Sequence, residues 1–424
     1  MRSSLVTGTL ALATTLATAA QADVVDQHIS VDVTQPDVTT IDLTVSFSAT
    51  GTQSSLSTFT PAVPIVSAEV DGVPTTFGPH PTYPQYLTRI DFPSTLEAGD
   101  TAVIHVVMSG EASCSGSTTF CKRTADETIF TAGVPGAAWF LSDPFATDAF
   151  TGSVDVRILE GQTAVSGLGA PTVTSLGDGT ESWTYAMGHP VTYVGLYVGT
   201  PDTITSQSGF DVTAYYDATV QDTPLVQQAV DVVSEVVPVY EGLYGTLPTD
   251  QARLIAVPSS FGFGAMGMLA NVFVNSLVFT EQGSYLVEQG MAHELGHSWF
   301  GNLTSSDGPG GAFLGEGMAE YVGWRALGLL HGDAKRMAGM RMNAVWYMFG
   351  MPEGEDAPIL SISQGAPGYV FVTYHKGALA LRALEEQVGA EAFDEALAQL
   401  VTRGPGGASV AALVEDVATS SGFD

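Results

Sequence analysis

The chain has 424 residues, which is long enough for two domains or a little more. Its 13 Lys and Arg residues against 45 Asp and Glu residues give a formal net charge of −32 at pH 7. We therefore expect no nucleic-acid partner, because phosphate backbones require a basic protein face. Acidity spread over a whole chain is instead typical of a solvated surface that self-repulsion keeps soluble.

The first 22 residues have the pattern of a secretory signal peptide. Arg2 supplies a positive charge, 5–19 is apolar and uncharged, and Ala-Gln-Ala at 20–22 is a small-x-small cleavage site. An N-terminal membrane anchor is the alternative, but the stretch is short and Thr-rich, and no stop-transfer pattern follows it. No later segment is apolar enough to predict a membrane span. We expect Asp23 to begin a mature protein that is exported to the periplasm or the extracellular space.

Residues 23–216 have the pattern of an all-β domain. The runs 41–47 and 102–108 are alternating or continuous and rich in β-branched residues, and Gly, Pro and Asp interrupt the pattern at short intervals. A β-sandwich of many short strands is the simplest architecture for such a domain.

The two cysteines, Cys114 and Cys121, lie seven positions apart in this domain. A local disulfide between them fits an exported protein and would close a small loop worth ~2–3 kcal/mol. Zinc ligation is the alternative, but no His and no second Cys pair lies nearby.

The sequence pattern changes near residue 217, and apolar residues at helical spacing begin at Leu225 and continue towards Tyr244. We therefore predict a second domain over 217–424 and an α+β multidomain protein. The predicted strands of this domain are 254–257 and 271–279, and the predicted helices are 285–302, 317–330, 373–387, 391–402 and 410–419.

A pair of histidines in this domain has the spacing of a metal site. In His293-Glu294-Leu295-Gly296-His297 the two imidazoles are four positions apart, so they lie on one face of a helix and can bind one ion. Glu294 is placed to act as general base on a water at that ion. A chance occurrence of this five-residue pattern is the alternative, since it is found in many unrelated chains.

A downstream glutamate completes the predicted zinc site. Glu316 follows His297 after 18 residues, and a second helix would bring it in as the third protein ligand. Three ligands leave the fourth tetrahedral position open for water or substrate, which predicts hydrolysis with one zinc per chain. Glu320, one helical turn later, could accept a hydrogen bond from the second ring nitrogen of a ligand histidine. The alternative is an exposed helix carboxylate.

These motifs resemble the M1 gluzincin metallopeptidases, the family of zinc aminopeptidases and leukotriene A4 hydrolase. The likeness rests on 293–302, HELGHSWFGN, with 314–322, LGEGMAEYV, and it extends over most of residues 40–420. The resemblance implies a β-domain followed by a thermolysin-like catalytic domain. It also implies that Tyr374, in the segment Tyr-His-Lys-Gly, stabilises the transition state.

One position departs from the family pattern. Gly264, Ala265 and Met266 match the family's Gly-Ala-Met, which implies that their backbone binds an extended peptide by strand addition. The family's next residue is a glutamate that captures the free α-amine of the substrate, whereas this chain has Gly267. The requirement for a free N-terminus is therefore expected to be relaxed.

Three classes of function follow from these residues. The main hypothesis is an exported zinc metallopeptidase that cleaves peptide or protein substrates with a metal-activated water. A zinc hydrolase of non-peptide substrates and a non-catalytic binding protein with the same fold are the alternatives. Retention of the base, the ligands and the tyrosine together favours an enzyme. The sequence carries no signal for the number of subunits.

Overall fold

The computed structural model describes residues 22–114, 120–131, 136–142, 149–281, 283–306, 308–363 and 365–423. The predicted signal peptide lies outside these residues except for Ala22, which opens the first strand. The chain divides into an N-terminal unit, which ends at Pro201 and includes Ser260–Gly262, and a C-terminal unit of Asp202–Ser259 with Phe263–Asp424.

The regular structure described in the N-terminal unit is entirely β, as predicted. Its strands are β1 (Ala22–Gln35), β2 (Val38–Ala49), β3 (Gln53–Phe59), β4 (Ile65–Val70), β5 (Val73–Pro74), β6 (Phe77–Pro79), β7 (Leu87–Leu96), β8 (Thr101–Gly110), β9 (Cys121–Arg123), β10 (Thr128–Phe130), β11 (Phe150–Leu159), β12 (Thr163–Ser166), β13 (Thr172–Ser175), β14 (Thr180–Val191) and β15 (Leu196–Gly199).

These strands form three sheets around an apolar core. The largest has the order β13-β14-β11-β1-β2-β8-β4-β5, and the smaller ones are β12-β15-β10-β9 and β3-β7-β6. Strand β2 shows why one face of the large sheet is buried. Its residues Ile41, Leu43 and Val45 are 0% exposed, while Asp42 and Thr44 between them face outwards. The predicted disulfide between Cys114 and Cys121 is present, with a Cα–Cα distance of 5.2 Å.

The C-terminal unit begins with a five-stranded sheet of order β16-β17-β18-β20-β19. Its strands are β16 (Asp202–Thr205), β17 (Asp211–Tyr216), β18 (Gln251–Val257), β19 (Ala265–Met268) and β20 (Asn271–Asn275). The predicted domain boundary at 216/217 is wrong in position, because β17 pairs in parallel with β18 and β16 pairs with β17. Both strands therefore belong to the second unit, and the boundary lies at 201/202.

Helices make up most of the remaining C-terminal unit. The α-helices are α1 (Thr223–Tyr244), α2 (Val287–Gly296), α3 (Met318–His331), α4 (Asp333–Val345), α5 (Gly377–Val388), α6 (Ala390–Val401) and α7 (Val410–Ser421). Short 3₁₀-helices span Ser276–Phe279 and Ser284–Leu286. Three π-helical segments are π1 (Phe313–Gly317), π2 (Trp346–Gly350) and π3 (Phe371–Lys376). The predicted order of a β-rich domain followed by a helical one is confirmed.

Three helices differ from the prediction. The histidine helix α2 ends at Gly296 and not at residue 302. Just beyond this end, the His297 carbonyl oxygen accepts a hydrogen bond from the side-chain amide of Asn302 at 2.8 Å. The helix predicted over 373–387 begins as π3, and α4 was not predicted. Within the described residues, no helix has both the length and the apolar character needed to cross a membrane.

A buried aromatic cluster behind α2 fixes the position of this helix. The Tyr240 hydroxyl of α1 donates to the Ala292 carbonyl at 2.7 Å, and its ring lies 5.1 Å from that of Trp299. The Trp299 indole N–H in turn donates to the Gly245 carbonyl at 2.7 Å. Tyr240 and Trp299 are both 0% exposed, so this contact anchors both ends of the histidine segment in the core.

Candidate metal centre

The two histidines of α2 lie side by side, as their spacing predicts. The ring centroids of His293 and His297 are 4.9 Å apart, with an angle of 81° between the ring planes. His293 is 5% exposed, and its ring lies against Glu316 of π1 and Glu320 of α3. One face of α2 therefore directs both imidazoles to the same place.

Hydrogen bonds at Nδ1 fix the protonation of both rings. His293 Nδ1 lies 3.1 Å from Glu320 Oε2, and His297 Nδ1 lies 3.1 Å from the Phe300 carbonyl oxygen. Since a carboxylate and a carbonyl can only accept, each Nδ1 carries the hydrogen. Each Nε2 is then the ring nitrogen that faces the centre, where a metal ion would take the place of any proton on it.

Glu316 faces the two Nε2 atoms from a different element, π1. Its Oε2 lies 3.3 Å from His293 Nε2 and 3.1 Å from His297 Nε2. One ligand atom from each of the three residues can be chosen so that all lie within 4.8 Å of one another. Two imidazole nitrogens and one carboxylate oxygen are a donor set that suits zinc, so the residues present fit the predicted ion.

The charges in this cluster depend on one another. Burial alone would raise the pKa of Glu316, but the two histidines hold the pKa of its carboxyl far below its usual range. Burial alone would lower the pKa of His293 and His297. Glu316, with the other nearby glutamates, nevertheless raises the pKa of both rings overall. Glu316 is therefore a carboxylate at any ordinary pH, as a metal ligand must be.

Glu294 lies on α2 beside the cluster and is held by the edge strand β19. Its Oε2 accepts the Gly267 backbone N–H at 2.7 Å, which leaves Oε1 for another partner. Burial raises the pKa of Glu294, although the histidines and the Gly267 N–H oppose that rise. A carboxylate with a raised pKa takes up a proton more readily, which suits a general base.

Tyr374 completes the group from segment π3. Its ring is stacked on the His293 ring at 5.5 Å with an interplanar angle of 3°. Burial and the negative charge of Glu316 raise the pKa of Tyr374 well above its usual value, so the hydroxyl keeps its hydrogen. Tyr374 is therefore a hydrogen-bond donor next to the predicted ligands.

Segments π1 and π3 place Glu316 and Tyr374, and two glycines let them meet. A Cβ on Gly317 would lie 2.8 Å from the Thr373 carbonyl oxygen and 3.4 Å from the Gly377 Cα. π-Helical turns are rare and occur frequently at functional sites. The segments that carry Glu316 and Tyr374 are both of this kind.

The backbone of β19 is only partly free for strand addition. The Gly264 carbonyl already accepts the Asn275 N–H at 2.8 Å, and Met266 faces Phe273 of β20. By alternation, Ala265 and Gly267 are the residues whose backbone groups point away from β20. Of the three predicted substrate-binding residues, only Ala265 therefore directs its N–H and C=O outwards.

Gly267 is a close-packing position. A Cβ built on it would lie 2.1 Å from the Glu294 carbonyl oxygen, so any side chain requires the strand or the helix to move. The structure thus gives a physical reason for glycine at this position. An acidic side chain at 267 does not fit this backbone.

Other residues around the centre were not found from the sequence. Gln289 and Trp324 donate to the Glu320 carboxylate, and Asn343 lies beside it. Burial and the charge of nearby Glu316 both raise the pKa of Tyr369. His375 Nδ1 lies 2.9 Å from Asn343 Oδ1. These residues have no spacing that a sequence pattern could detect.

The chain resembles known proteins in both sequence and fold. Residues 228–416 match the family model described as the Peptidase family M1 domain. Aminopeptidase M1-B of Oryza sativa subsp. japonica is 27% identical over 195 residues, 41% of this chain and 21% of that protein. Leucine aminopeptidase 2-1 of Meyerozyma guilliermondii is 32% identical over 151 residues, 33% of this chain and 24% of that protein. The match thus spans under a quarter of these relatives' length.

Solved structures resemble the chain over nearly its whole length. A mutant of the M1 zinc metallopeptidase of Deinococcus radiodurans, bound to a Tyr-Ser-Ala substrate, superposes with a TM-score of 0.74 at 20% identity. The superposition covers 94% of this chain and 91% of that one. A second structure with a TM-score of 0.74 is described as a two-domain M1 zinc metallopeptidase. The family domain at 228–416, the related aminopeptidases and this shared fold together support an M1 family zinc metallopeptidase.

Proposed function

We propose that this chain is an exported zinc peptidase that hydrolyses peptide bonds, with Glu294 as general base and Tyr374 as the donor to the oxyanion. The observation that carries the proposal is the meeting of His293 Nε2, His297 Nε2 and Glu316 Oε2 beside both of these groups. Relatives named aminopeptidases, and a fold neighbour bound to a Tyr-Ser-Ala substrate, support a peptide as the substrate.

His293, His297 and Glu316 would hold one zinc ion. When bound, zinc supplies a Lewis acid that polarises the carbonyl group and makes water acidic enough to attack near neutral pH. Glu294 takes the proton of the attacking water on the oxygen that Gly267 does not occupy, and delivers it to the leaving amine. The Tyr374 hydroxyl donates a hydrogen bond to the oxygen on which negative charge develops.

Zinc binding can be tested without a substrate. Wild-type protein is expected to bind one zinc per chain, and His297→Ala is expected to lose both tight zinc binding and turnover of fluorogenic peptides. His331, at the end of α3, is exposed and distant in sequence from the motif, so His331→Ala serves as the matched control. Stoichiometric zinc in His297→Ala would refute the ligand assignment.

The second part of the proposal is a weak preference for a free N-terminus. An ammonium group needs a negative partner, because a buried unpaired charge is costly. Gly267 supplies none, and no side chain fits there without movement. Among the described carboxylates at the centre, Glu294 and Glu316 are already assigned as base and ligand, and Glu320 is bonded to His293.

Matched peptides with free and acetylated N-termini test this preference. We expect acetylation to change kcat/KM by less than about tenfold, or ~1.4 kcal/mol. A drop of a hundredfold or more would mean that another carboxylate recognises the amine. Turnover of an ester or an epoxide without turnover of any peptide would favour the non-peptide hydrolase, and zinc without turnover would favour a binding protein.

Export is proposed on separate grounds. The signal-peptide pattern of 1–22 and the disulfide between Cys114 and Cys121 both fit an oxidising compartment. N-terminal sequencing of protein recovered outside the cytoplasm should begin at Asp23. Full-length protein that starts at Met1 and stays in the cytoplasm would contradict the proposal.

A further inference from the structure

Glu320 orients the ring of His293, and several elements hold its carboxylate. Its Oε2 accepts from His293 Nδ1 at 3.1 Å and from the Gln289 amide, both on α2. Its Oε1 accepts the Trp324 indole N–H of α3 at 2.8 Å. Glu320 is 5% exposed, so these contacts are shielded from water.

Asn343 of α4 approaches the same carboxylate from another side. Burial alone would raise the pKa of Glu320, but hydrogen bonds and charge from His293, with help from Trp324 and Asn343, lower it overall. Asn343 is 2% exposed, and its Nδ2 is buried without a hydrogen bond of ordinary geometry to any group in the described residues. Glu320 is the acceptor placed to receive it.

His375 fixes which way the Asn343 amide points. Asn343 Oδ1 lies 2.9 Å from His375 Nδ1. Because Glu320 can only accept, Asn343 must turn its NH₂ group to Glu320 and its oxygen to His375, whose Nδ1 must then donate. The His375 ring is kept in place by stacking on Trp346, with centroids 6.3 Å apart. A chain of polar contacts thus runs from His375 through Asn343 to the Glu320 carboxylate, and a hydrogen bond joins Glu320 to His293.

We propose that Asn343 and His375 are positioning residues of the metal centre, which act through Glu320 to hold the His293 ring in its ligating orientation. The inference rests on the proposed function, because it presumes that His293 binds zinc. His375 follows Tyr374 directly in π3. This chain of polar contacts therefore also joins the ligand helix α2 to the segment that carries the oxyanion donor.

Metal binding tests the role of Asn343 independently of turnover. Asn343→Leu keeps the size of the side chain but removes the hydrogen bond to His375 and the amide beside Glu320. We expect its zinc dissociation constant, from competition with a chelator, to rise about tenfold or more. The visible absorption of bound Co²⁺ should also shift, because the His293 ring is no longer held. Met342→Ala, the adjacent and 52% exposed position, should change neither.

Two substitutions at His375 separate hydrogen bonding from packing. His375→Phe keeps the ring stack on Trp346 but cannot donate, whereas His375→Gln loses the ring but keeps an amide donor. We expect His375→Phe to weaken zinc binding and His375→Gln to recover most of it. Asn343→Leu combined with His375→Phe should be no worse than Asn343→Leu alone, since both break one chain.

The outcomes distinguish this inference from the proposed function. Wild-type protein that binds no zinc would overturn both. Wild-type protein that binds zinc, with Asn343→Leu unchanged in affinity and Co²⁺ spectrum, would overturn the positioning role alone. Additive losses in the double variant, or a His375→Gln protein as weak as His375→Phe, would overturn the ordered chain from His375.

Discussion

Glu294 has one carboxylate oxygen occupied by the Gly267 N–H and one oxygen left for chemistry. Glu294→Gln can still accept the Gly267 N–H through its amide oxygen, but it cannot take up a proton. We expect this variant to fold and bind zinc like wild type while losing nearly all turnover, a decrease of about a thousandfold or more. Zinc analysis and steady-state kinetics measure the two effects separately.

Glu288→Gln is the matched control on the same helix. Glu288 lies in the first turn of α2, partly exposed and paired with Lys335 away from the ligands. Its substitution should leave both zinc content and kcat unchanged. Substantial turnover by Glu294→Gln would mean that another group is the base.

Tyr374 contributes a ring and a hydroxyl that can be separated. Tyr374→Phe keeps the ring stacked on His293 and removes only the donor. We expect kcat to fall roughly a hundredfold or more, with a smaller change in KM and unchanged zinc content. Tyr369→Phe is the comparison, since this tyrosine also faces Glu316. If Tyr369→Phe were the slow variant and Tyr374→Phe the normal one, the oxyanion donor would be Tyr369.

At the scale of elements, the contact between π1 and π3 sets the distance from Glu316 to Tyr374. Gly317→Ala would push its methyl group against the Thr373 carbonyl, 2.8 Å away, and the two segments must separate. We expect a loss of about 1–3 kcal/mol of folding stability together with a lower kcat. Gly315→Ala in the same segment meets nothing within 4 Å and serves as the control. Equal behaviour of the two variants in thermal melts and kinetics would contradict this account.

Part of this arrangement could be predicted from the sequence. The period of two in β2 and the spacing of His293, Glu294 and His297 are local patterns, so the β-rich domain and the histidine pair were predictable. The boundary was misplaced because β16 and β17 resemble the strands before them, and only their pairing with β18 reveals their unit.

The rest of the site depends on tertiary contacts. Nothing in the sequence distinguishes the π-helical turns of π1 and π3 from α-helix, since their wider turns come from packing. Asn343 and His375 are 32 residues apart and meet only because α4 packs beside π3. Helix α4 itself was missed because much of its surface is polar, and exposed Met342 and Val345 blur the apolar stripe.

At the scale of the molecule, an excess of acidic groups opposes compaction. The acidic groups behind the formal charge of −32 repel one another in the folded protein, and added salt screens that repulsion. We expect the melting temperature to rise by several degrees, about 3–8 °C, between ~10 mM and ~0.5 M NaCl. Differential scanning fluorimetry measures it, and KCl should match NaCl if screening is the cause.

The opposite result is informative because the chain also contains buried ion pairs. Arg336 and Glu385 are 3% and 2% exposed, with one contact at 2.9 Å, and Arg325 lies 2.6 Å from Asp394. Such buried pairs are screened far less than surface charges. A melting temperature that fell with salt would mean that favourable ion pairs outweigh the general repulsion.

The edge strand β19 has a consequence for inhibitor design. Only alternate residues, Ala265 and Gly267, direct backbone groups outwards, and Glu294 already occupies the Gly267 N–H. A linear peptidomimetic that lies along this edge can therefore form ladder bonds only at every second amide. Methylating the amide nitrogens of such a compound one at a time should weaken inhibition at every second amide and leave it unchanged at the amides between. Those unaffected amides are positions where a macrocycle could be closed without loss of affinity.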